Sequence, residues 1–495
     1  MLLVALTLVT AAVAVGSYFL SGRSLVAPAV LFAAGFTLSG VFANLYAGPW
    51  GFELHADAFL AIAGGNAWFM VVAALTSWAC GKCMAARPAP QGQSAPSAPE
   101  DAAGPKTESG RSRDAAPRAG FFRNATGKRP EHAGEADAAR FLAPVRIAPA
   151  AAFLAVQAVV FALTLVFIQG LYPDQSLAAA IKSYNSASTF TTDAPSLPSW
   201  FNHVRMLATG GSYFVAYLVG QQLASGWRKR DLVLAASALL AVALILETGG
   251  RTSAVAYVVV AVVSYFVVRR RLDPDGGVPW KAVAVVAAVA VVLLATFKFA
   301  AVGGRGAEDR DPLEYLAMYL GGEIANLDAY LQGGGGAEHR ELFGYMTFMR
   351  DWNYFGDKLG VDAWVYSPDL PFQYRGEYSL GNVYTTFYAF LYDFGVPGVV
   401  VLVAVMAAVS QLVFEKAANA RPTKWMTIWI AVYAVLAFSL LMSFFSNKFY
   451  EDVLSVNFAR NLLYLLVVRY LVCYFDPKAL TRRLKRKAVS RDDRS

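Results

Sequence analysis

The sequence predicts an all-α, polytopic integral membrane protein, and three observations support this prediction. Only 16% of the 495 residues are charged and 57% are hydrophobic, whereas roughly 25% of residues are charged in soluble proteins. The mean hydropathy is high, at +0.43. The apolar residues also form continuous runs of about 20 residues, the length of a helix that crosses a bilayer. These features exclude a soluble globular enzyme, a disordered chain and a secreted disulfide scaffold.

About eleven transmembrane helices are expected. A strand of a membrane β-barrel would be a run of about 10 residues with alternating polarity, and the runs here are longer and uninterrupted. The first run follows Met1 without a preceding basic region, so we expect no cleaved signal peptide. The predicted spans lie near residues 2–20, 25–46, 59–79, 149–169, 206–224, 231–247, 252–268, 281–300, 394–414, 425–445 and 453–474.

The charges of the loops predict the orientation, because cytoplasmic loops carry an excess of lysine and arginine. With the C-terminus inside, the short inner segments and the tail hold 19 basic residues. The short outer loops hold four, namely Lys182, Arg205, Arg251 and Lys448. The sequence therefore predicts an outer N-terminus and a cytoplasmic C-terminus. The same asymmetry explains the net charge of +8, so no nucleic-acid partner is expected.

Composition divides the chain into six segments. Transmembrane helices are expected in residues 1–83, 147–300 and 382–474. Residues 84–146, rich in Ala, Pro, Gly and Ser, predict a disordered cytoplasmic linker, and residues 475–495 form a basic cytoplasmic tail. Residues 301–381 predict a large folded outer loop, because 16 of the 52 residues from Glu341 to Tyr392 are aromatic. Within it, a helix is expected over Pro312–Leu331.

Neither a metal ion nor another cofactor is expected from the sequence. Cys80 and Cys83 form a C-x-x-C motif at the inner end of the third span, but no second pair accompanies it. The histidines lack the spacing of a metal site; they are His55, His132, His203 and His339.

The candidate functional residues are charged and aromatic side chains on the outer side. The turn Gly249-Gly250-Arg251-Thr252-Ser253 joins the sixth and seventh spans. Its arginine either snorkels to the headgroups or binds an anion together with the free amides of the helix start. Arg460, inside the last span, needs a partner or a cavity. The loop charges are either solvated or functional; they are Arg305, Arg340, Arg350, Arg375, Glu323, Asp328, Asp351 and Glu377.

Two motifs resemble those of bacterial O-antigen polymerases. One is Gly249-Gly250-Arg251-Thr252-Ser253-Ala254, followed by an apolar helix. The other, similar to the oligosaccharide repeat-unit (Wzy-type) polymerases, reads Tyr378-Ser379-Leu380-Gly381-Asn382-Val383-Tyr384-Thr385-Thr386-Phe387 and continues as Tyr392-Asp393-Phe394-Gly395-Val396-Pro397-Gly398. The resemblance covers mainly residues 206–474, and the insertion at 84–146 has no counterpart that we recognise.

This resemblance implies a GT-C-like helical bundle in the bacterial inner membrane, with a periplasmic N-terminus and a large periplasmic loop. It implies a glycosyltransferase that joins undecaprenyl-diphosphate-linked oligosaccharide repeat units on the periplasmic side. The implied partners are this lipid-linked oligosaccharide, the surrounding membrane lipid and a chain-length regulator protein.

The implied reaction needs three kinds of side chain. Arginines stabilise the departing diphosphate without a metal ion, a carboxylate or histidine accepts the proton of the attacking hydroxyl, and aromatic rings pack against sugars. The predicted catalytic residues are Arg251, Arg305, Arg350, Glu323, Glu377 and His339. The predicted substrate-binding residues are Asn382, Tyr384, Trp352, Tyr374, Tyr378, Arg375 and Arg460. The sequence does not assign the base, and Asp393 is alternatively the cap of a helix that begins near Phe394.

Three other function classes stay open from the sequence. An O-antigen ligase would use similar lipid-linked donors but a lipid A core as its acceptor. A flippase or transporter would show internal repeats or paired broken helices, and the sequence shows no convincing repeat. A scaffolding membrane protein would not require outward arginines or so aromatic an outer loop.

Overall fold

The computed structural model describes residues 1–85, 141–190, 196–274, 276–288, 291, 311–333, 342–365, 370–423 and 425–475. Within these ranges the chain is mostly helical. Its α-helices are α1 (Leu2–Leu20), α2 (Pro28–Tyr46), α3 (Ala56–Ala85), α4 (Ile147–Leu171), α5 (Leu177–Phe190), α6 (Ser199–Ser225), α7 (Leu232–Leu246), α8 (Arg251–Leu272), α9 (Pro312–Leu320), α10 (Gly322–Leu331), α11 (Met349–Leu359), α12 (Thr386–Phe414), α13 (Met426–Leu441) and α14 (Val456–Arg469). An antiparallel hairpin of β1 (Gln373–Arg375) and β2 (Tyr378–Gly381) precedes α12. Short 3₁₀ turns lie at Lys229–Asp231, Asp362–Trp364 and Met442–Phe444, and π-helical turns at Glu415–Asn419, Phe449–Val453 and Tyr470–Tyr474.

Eight of the described helical segments are long and apolar enough to cross a membrane. They are Leu2–Leu20, Pro28–Tyr46, Ala56–Lys82, Ile147–Leu171, Thr252–Leu272, Thr386–Asn419, Met426–Phe444 and Val456–Tyr474. The chain is therefore a multi-pass helical membrane protein. This result confirms the all-α membrane prediction, whereas the count of eleven spans stays a prediction.

Three of the eleven predicted spans are not among these eight segments. Residues 206–224 lie in α6. This helix is less apolar than the eight segments above, because it includes His203, Arg205 and Gln221. Residues 231–247 contain α7, which has 15 residues and so spans only about 22 Å, less than a bilayer core. The predicted span 281–300 lies mostly outside the described residues, as do most of the predicted linker and the tail.

The end of the predicted linker is packed against the bundle. Phe141 and Ala143 are buried, at 3% and 4% exposure. The side chain of Gln221 accepts a hydrogen bond from the amide of Ala143 at 2.8 Å and donates one to its carbonyl at 3.0 Å. The predicted disorder therefore extends too far along the chain. Phe141 and Ala143 are ordered because their apolar side chains are buried and the buried side-chain amide of Gln221 binds the backbone of Ala143.

One end of the bundle, which we call the basic end, gathers the arginine-rich termini of several helices. Arg270 near the end of α8 donates to the carbonyl of Ser21, just after α1, at 3.3 Å. Arg271 donates to the carbonyl of Ala417 at 2.6 Å. Arg146, before α4, donates to the carbonyl of Phe475 at 2.9 Å. Cationic side chains thus bind carbonyl groups at the helix C-termini, which is the favourable pairing.

The opposite end, which we call the loop end, carries residues 47–55, α9, α10, α11 and the hairpin. The predicted helix over Pro312–Leu331 is broken at Gly321 into α9 and α10. The break lies against α2, where a Cβ atom on Gly321 would stand 2.5 Å from the backbone nitrogen of Ala43. Only glycine permits this approach, so the loop segment is fitted closely to the transmembrane bundle.

Helix α12 begins earlier than predicted and contains a break. It starts at Thr386, and two helical segments meet at Gly395, where φ is 62° and ψ is −154°. The second segment therefore begins close to the predicted start near Phe394. Asp393 lies just before this break. Its carboxylate accepts hydrogen bonds from the backbone amides of Met346 at 3.0 Å and Thr347 at 2.6 Å. This contact ties the segment before α11 to the loop end of α12.

Helix α6 approaches its neighbours through glycine. A Cβ atom on Gly211 would stand 2.3 Å from Val468 of α14, and one on Gly220 would stand 2.2 Å from the carbonyl oxygen of Ala261 in α8. Small residues at such contacts let membrane helices pack backbone to backbone. Helix α6 is thus held closely on two sides.

Candidate functional site

A groove opens at the loop end where α11 lies beside the start of α14, and we call it the α11–α14 groove. Its volume is about 360 Å³, and its walls are Phe343, Phe348, Asp351, Trp352, Phe355, Leu454 and Val456. Phe348, Trp352 and Phe355 follow at helical spacing and so project from one face of α11. Val456 is the first residue of a membrane-spanning segment, so the groove lies at the level where that segment ends.

Two arginines lie on the elements that form this groove, α11 and α14, although neither is among its walls. Arg350 donates to Asp452 across 2.6 Å, and the two side chains are 44% and 28% exposed. Arg460, in the second turn of α14, lies with its guanidinium 5.4 Å from the ring centre of Tyr354 and donates to its hydroxyl at 3.2 Å. The partner that Arg460 needs inside the last span is therefore a tyrosine of α11. Both cations keep part of their hydrogen-bonding capacity for an anion.

The groove also contains a carboxyl group, that of Asp351, and one indole ring, that of Trp352. Partial burial raises the pKa of Asp351 above its ordinary range, and the neighbouring Arg350 opposes that rise. Trp352 donates from Nε1 to the carbonyl of Phe343 at 3.1 Å, and its ring packs edge-on against Trp364 at 5.1 Å. The rings are fixed in place, as a platform for a sugar face would require.

A second set of charged residues lies where α10 meets the start of α3. The carboxylate of Asp328 is fully buried and makes two contacts with His55. Its Oδ1 accepts the backbone N–H of His55 at 2.8 Å, and its Oδ2 lies 2.9 Å from the imidazole Nδ1. The His55 side chain is 54% exposed. Nearby along the chain, the ring of Phe52 lies 6.0 Å from the Arg375 guanidinium. We call these four residues, His55, Asp328, Phe52 and Arg375, the His55 cluster.

The hairpin extends this cluster with residues that the sequence predicts as substrate-binding. Tyr374 is 63% exposed and Tyr378 is half-buried. Glu377, a predicted catalytic carboxylate, lies exposed in the turn between the strands. The hairpin thus presents aromatic side chains and one carboxylate to the loop end.

Tyr384 and Asn382 connect the hairpin to α12. Tyr384 is 2% exposed; its hydroxyl accepts from Gln373 at 2.9 Å and donates to the carbonyl of Pro371 at 3.1 Å. Asn382 is half-buried beside it. In this position Tyr384 fixes the base of the hairpin, and its ring lies in the core.

Glu323 of α10 is buried, with 1% exposure. Neither of its carboxylate oxygens has a hydrogen-bond partner among the described residues. Burial raises its pKa well above the ordinary range, so the group favours its neutral form. The structure therefore places this predicted catalytic residue beneath the loop end, out of contact with solvent.

The predicted arginine turn also belongs to the loop end. Gly250 precedes α8, and Arg251 is its first residue. Behind the turn, Arg205 donates to the hydroxyl of Thr248 at 2.7 Å. The role of Arg251 stays a prediction. Arg305 and His339, also predicted to be catalytic, lie outside the described residues.

The structure brings the predicted residues together in two places. Trp352 lines the α11–α14 groove, and Arg350 and Arg460 lie on the elements that form it. The second group lies around the hairpin and α10: Glu323, Tyr374, Arg375, Glu377, Tyr378, Asn382 and Tyr384. Sequence reasoning missed Asp452 and His55. Asp452 had a local signal, as it follows Glu451 directly before the last span. His55 and Asp328 lie 273 residues apart, and no local pattern joins them.

Comparisons with known proteins leave this chain without a relative from which to transfer a function. No protein-family model, curated protein or solved structure matches the chain. Among the described residues, no group of three or more His, Cys, Asp or Glu side chains could hold a metal ion.

Proposed function

We propose that this chain is a glycosyltransferase of the bacterial inner membrane that polymerises undecaprenyl-diphosphate-linked oligosaccharide repeat units on the periplasmic side. The observation that carries the proposal is the α11–α14 groove. One indole ring, that of Trp352, and the carboxyl group of Asp351 line it at the end of a membrane-spanning segment, and two arginines lie on the elements that form it. The GT-C-like arrangement and the periplasmic position of the loop end are parts of this proposal.

The depth of the groove suits a lipid-linked diphosphate. A polyprenyl chain lies in the hydrocarbon, so its diphosphate lies at the headgroup level where the spanning helices end. Charged groups are expensive deeper in the bilayer. Arg460 lies one turn after Val456, where the last described span begins, and Arg350 is paired with Asp452, four residues before Val456. Guanidinium groups bind phosphate oxygens in pairs, and the start of α14 adds the positive end of a helix dipole.

The walls of the groove suit the sugar that follows the diphosphate. Indole and phenyl rings pack against the apolar C–H faces of sugars, while an indole N–H or a carboxyl group can bind hydroxyls. Trp352 and Phe343 supply the rings, and Asp351 supplies the carboxyl group. Polar and aromatic groups therefore follow one another from the membrane level outward.

A polymerase must hold two lipid-linked substrates, and the loop end has two cationic centres. Arg350 and Arg460 stand at the groove, and Arg375 stands in the His55 cluster. The groove would hold the diphosphate of the acceptor, and Arg375 would lie beside the diphosphate that leaves the donor. Preorganised arginines can stabilise such a leaving group by charge alone.

The test is glycan extension by purified protein in proteoliposomes. The substrate is the lipid-linked repeat unit extracted from a strain that lacks the gene, and the product is read as a ladder on a gel. Wild-type protein should produce the ladder. Arg460→Ala should slow extension at low substrate concentration by about 10- to 100-fold, because charge-assisted hydrogen bonds contribute about 1.5–3 kcal/mol.

The same helix provides a matched control. Arg469 lies near the other end of α14, 4.9 Å from the ring of Tyr474, and donates to its hydroxyl at 3.0 Å. Arg469→Ala removes an equivalent arginine–tyrosine contact at the basic end and should leave extension unchanged. If both variants extend as well as the wild type, the groove does not bind the substrate.

The same strain separates the alternative functions. Loss of the gene should shorten polymer ladders while single repeat units still reach the surface. If full-length polymer forms but stays unattached to lipid A core, the protein is a ligase. If repeat units accumulate on the cytoplasmic side, it is a flippase.

A further inference from the structure

We propose that His55 is the general base of the glycosyl transfer and that Asp328 positions it. This inference rests on the proposed function and assigns the one role that the sequence leaves open. The fully buried carboxylate of Asp328 contacts the half-exposed imidazole of His55 at the loop end.

The geometry selects one tautomer of the imidazole. Because an ionised carboxylate only accepts hydrogen bonds, the 2.9 Å contact between Asp328 Oδ2 and His55 Nδ1 places the proton on Nδ1. In the neutral ring, Nε2 then carries the free lone pair. The side chain is 54% exposed, so this nitrogen can reach a substrate hydroxyl.

The surrounding structure holds the imidazole in place. The loop that precedes it is anchored by three buried side chains, Trp50, Phe52 and Leu54, at 3%, 4% and 7% exposure. The carbonyl of His55 accepts the amide of Phe59 at 3.1 Å, within the first turn of α3. The second contact from Asp328, to the backbone N–H of His55, fixes the main chain at the same point.

The balance of the reaction needs no further reactant. The acceptor hydroxyl gives its proton to Nε2 of His55 while its oxygen forms a bond to the anomeric carbon of the donor. The bond from that carbon to the diphosphate oxygen breaks, and its electron pair leaves with the diphosphate beside Arg375. Asp328 stabilises the imidazolium that forms, and the proton then passes to water.

Several other titratable groups lie on the elements around His55. Glu53 and Asp57 flank it along the chain and are exposed. Arg375, Glu377 and Tyr378 lie on the hairpin. Near the end of α2, the hydroxyl of Tyr46 donates to Asp311 at 3.3 Å. Glu377 is also exposed, and Arg375 is always charged. Asp328, by contrast, contacts the imidazole directly.

The experiment measures the initial rate of extension by the full-length protein in proteoliposomes, with the same extracted lipid-linked repeat unit. His55→Ala should lower the rate at saturating substrate by about 10²- to 10⁴-fold, the usual contribution of a general base. Free imidazole should restore part of the variant's rate.

Asp328→Asn tests the positioning role. Its remaining Oδ1 can still accept the backbone N–H of His55, which turns the amide NH₂ toward Nδ1. The imidazole then accepts at Nδ1 and carries its proton on Nε2, where it cannot act as a base. We expect a loss of rate close to that of His55→Ala, with substrate affinity retained.

The control is His203→Ala, because His203 is an exposed histidine on α6 at the same end of the bundle. This variant should extend the glycan at the wild-type rate. Wild-type rates in His55→Ala would overturn the inference and leave the proposed function standing. So would a slow His55→Ala variant that does not respond to imidazole, since its defect is then structural. If the wild-type protein makes no ladder, the proposed function itself fails.

Discussion

Arg350 and Asp452 form an ion pair of 2.6 Å that joins α11 to the turn before α14. The two walls of the α11–α14 groove belong to these two elements, so the pair sets the distance between the walls. Both side chains are partly exposed, at 44% and 28%. Their mutual attraction is therefore weakened by water and salt.

The stability that this pair contributes should be small and salt-dependent. In a double-mutant cycle of Arg350→Ala and Asp452→Ala, we expect a coupling energy of about 0.2–1 kcal/mol at low salt, falling as salt is added. Thermal unfolding in detergent measures it. The neighbouring pair Lys358 and Asp357, at 4.0 Å and with 60% and 75% exposure, should show no coupling. A coupling energy well above 1 kcal/mol would show that the pair is desolvated.

The break in α12 predicts a backbone effect at Gly395. Its φ of 62° with ψ of −154° is accessible to glycine and strained for other residues. Gly395→Ala should lower the free energy of unfolding by about 1–3 kcal/mol, measured by thermal or denaturant unfolding in detergent. Gly64→Ala is the control, because Gly64 lies inside α3 with open space around it, and alanine is the better helix former. An unchanged stability of Gly395→Ala would mean that the helix can straighten without cost.

The buried carboxyl group of Glu323 predicts a pH-dependent stability. Because its pKa is raised in the folded protein, the folded state holds this proton more tightly than the unfolded state. The free energy of unfolding therefore falls as pH rises above the ordinary carboxyl range, until the folded-state pKa is passed. The fall is at most about 1.4 kcal/mol per pH unit.

Glu323→Gln removes this ionisation while it keeps the shape of the side chain. The variant should be more stable than the wild type, and its advantage should grow from about pH 5 to pH 8. Unfolding in detergent at several pH values measures the difference. Glu377→Gln, in the exposed hairpin turn, should show no such trend. An advantage of Glu323→Gln that is independent of pH would indicate that Glu323 has the same protonation in both states.

The asymmetry of basic residues predicts the orientation of the two ends. A short epitope inserted after Gly376, in the exposed hairpin turn, should be reached from the periplasm, and one inserted at Gly226, in the exposed turn after α6, only from the cytoplasm. Protease protection in spheroplasts and inverted vesicles distinguishes them. A cytoplasmic hairpin would contradict the proposed function together with its site.

The sequence predicts the transmembrane helices well because each is a local pattern. The runs of apolar residues behind α1, α2, α4 and α13 coincide with the helices within a few residues. Local patterns fail where tertiary contacts decide. The break at Gly321 arises because α2 lies against it, and the early start of α12 reflects packing of its first turns in the core.

The candidate site was only partly predictable for the same reason. Aromatic density and the arginines of the loop identify the loop end, and one predicted residue, Trp352, lines its groove, while Arg350 and Arg460 lie on the elements that form it. The burial of Glu323 and the contact between His55 and Asp328 depend on how α10 lies across α2 and α3. A single sequence carries no signal for such a docking.

The glycine contacts of α6 have a mechanical consequence. Because its backbone touches that of α8 and a side chain of α14 through Gly220 and Gly211, a slide of one residue would drive a side chain into its neighbour. We therefore expect α6 to keep a fixed position relative to α8 and α14. In the proposed function, a long lipid-linked glycan enters and leaves in each round of extension. We expect the motion that this requires at α11, because only a partly hydrated ion pair among the described salt bridges joins α11 to the turn before α14.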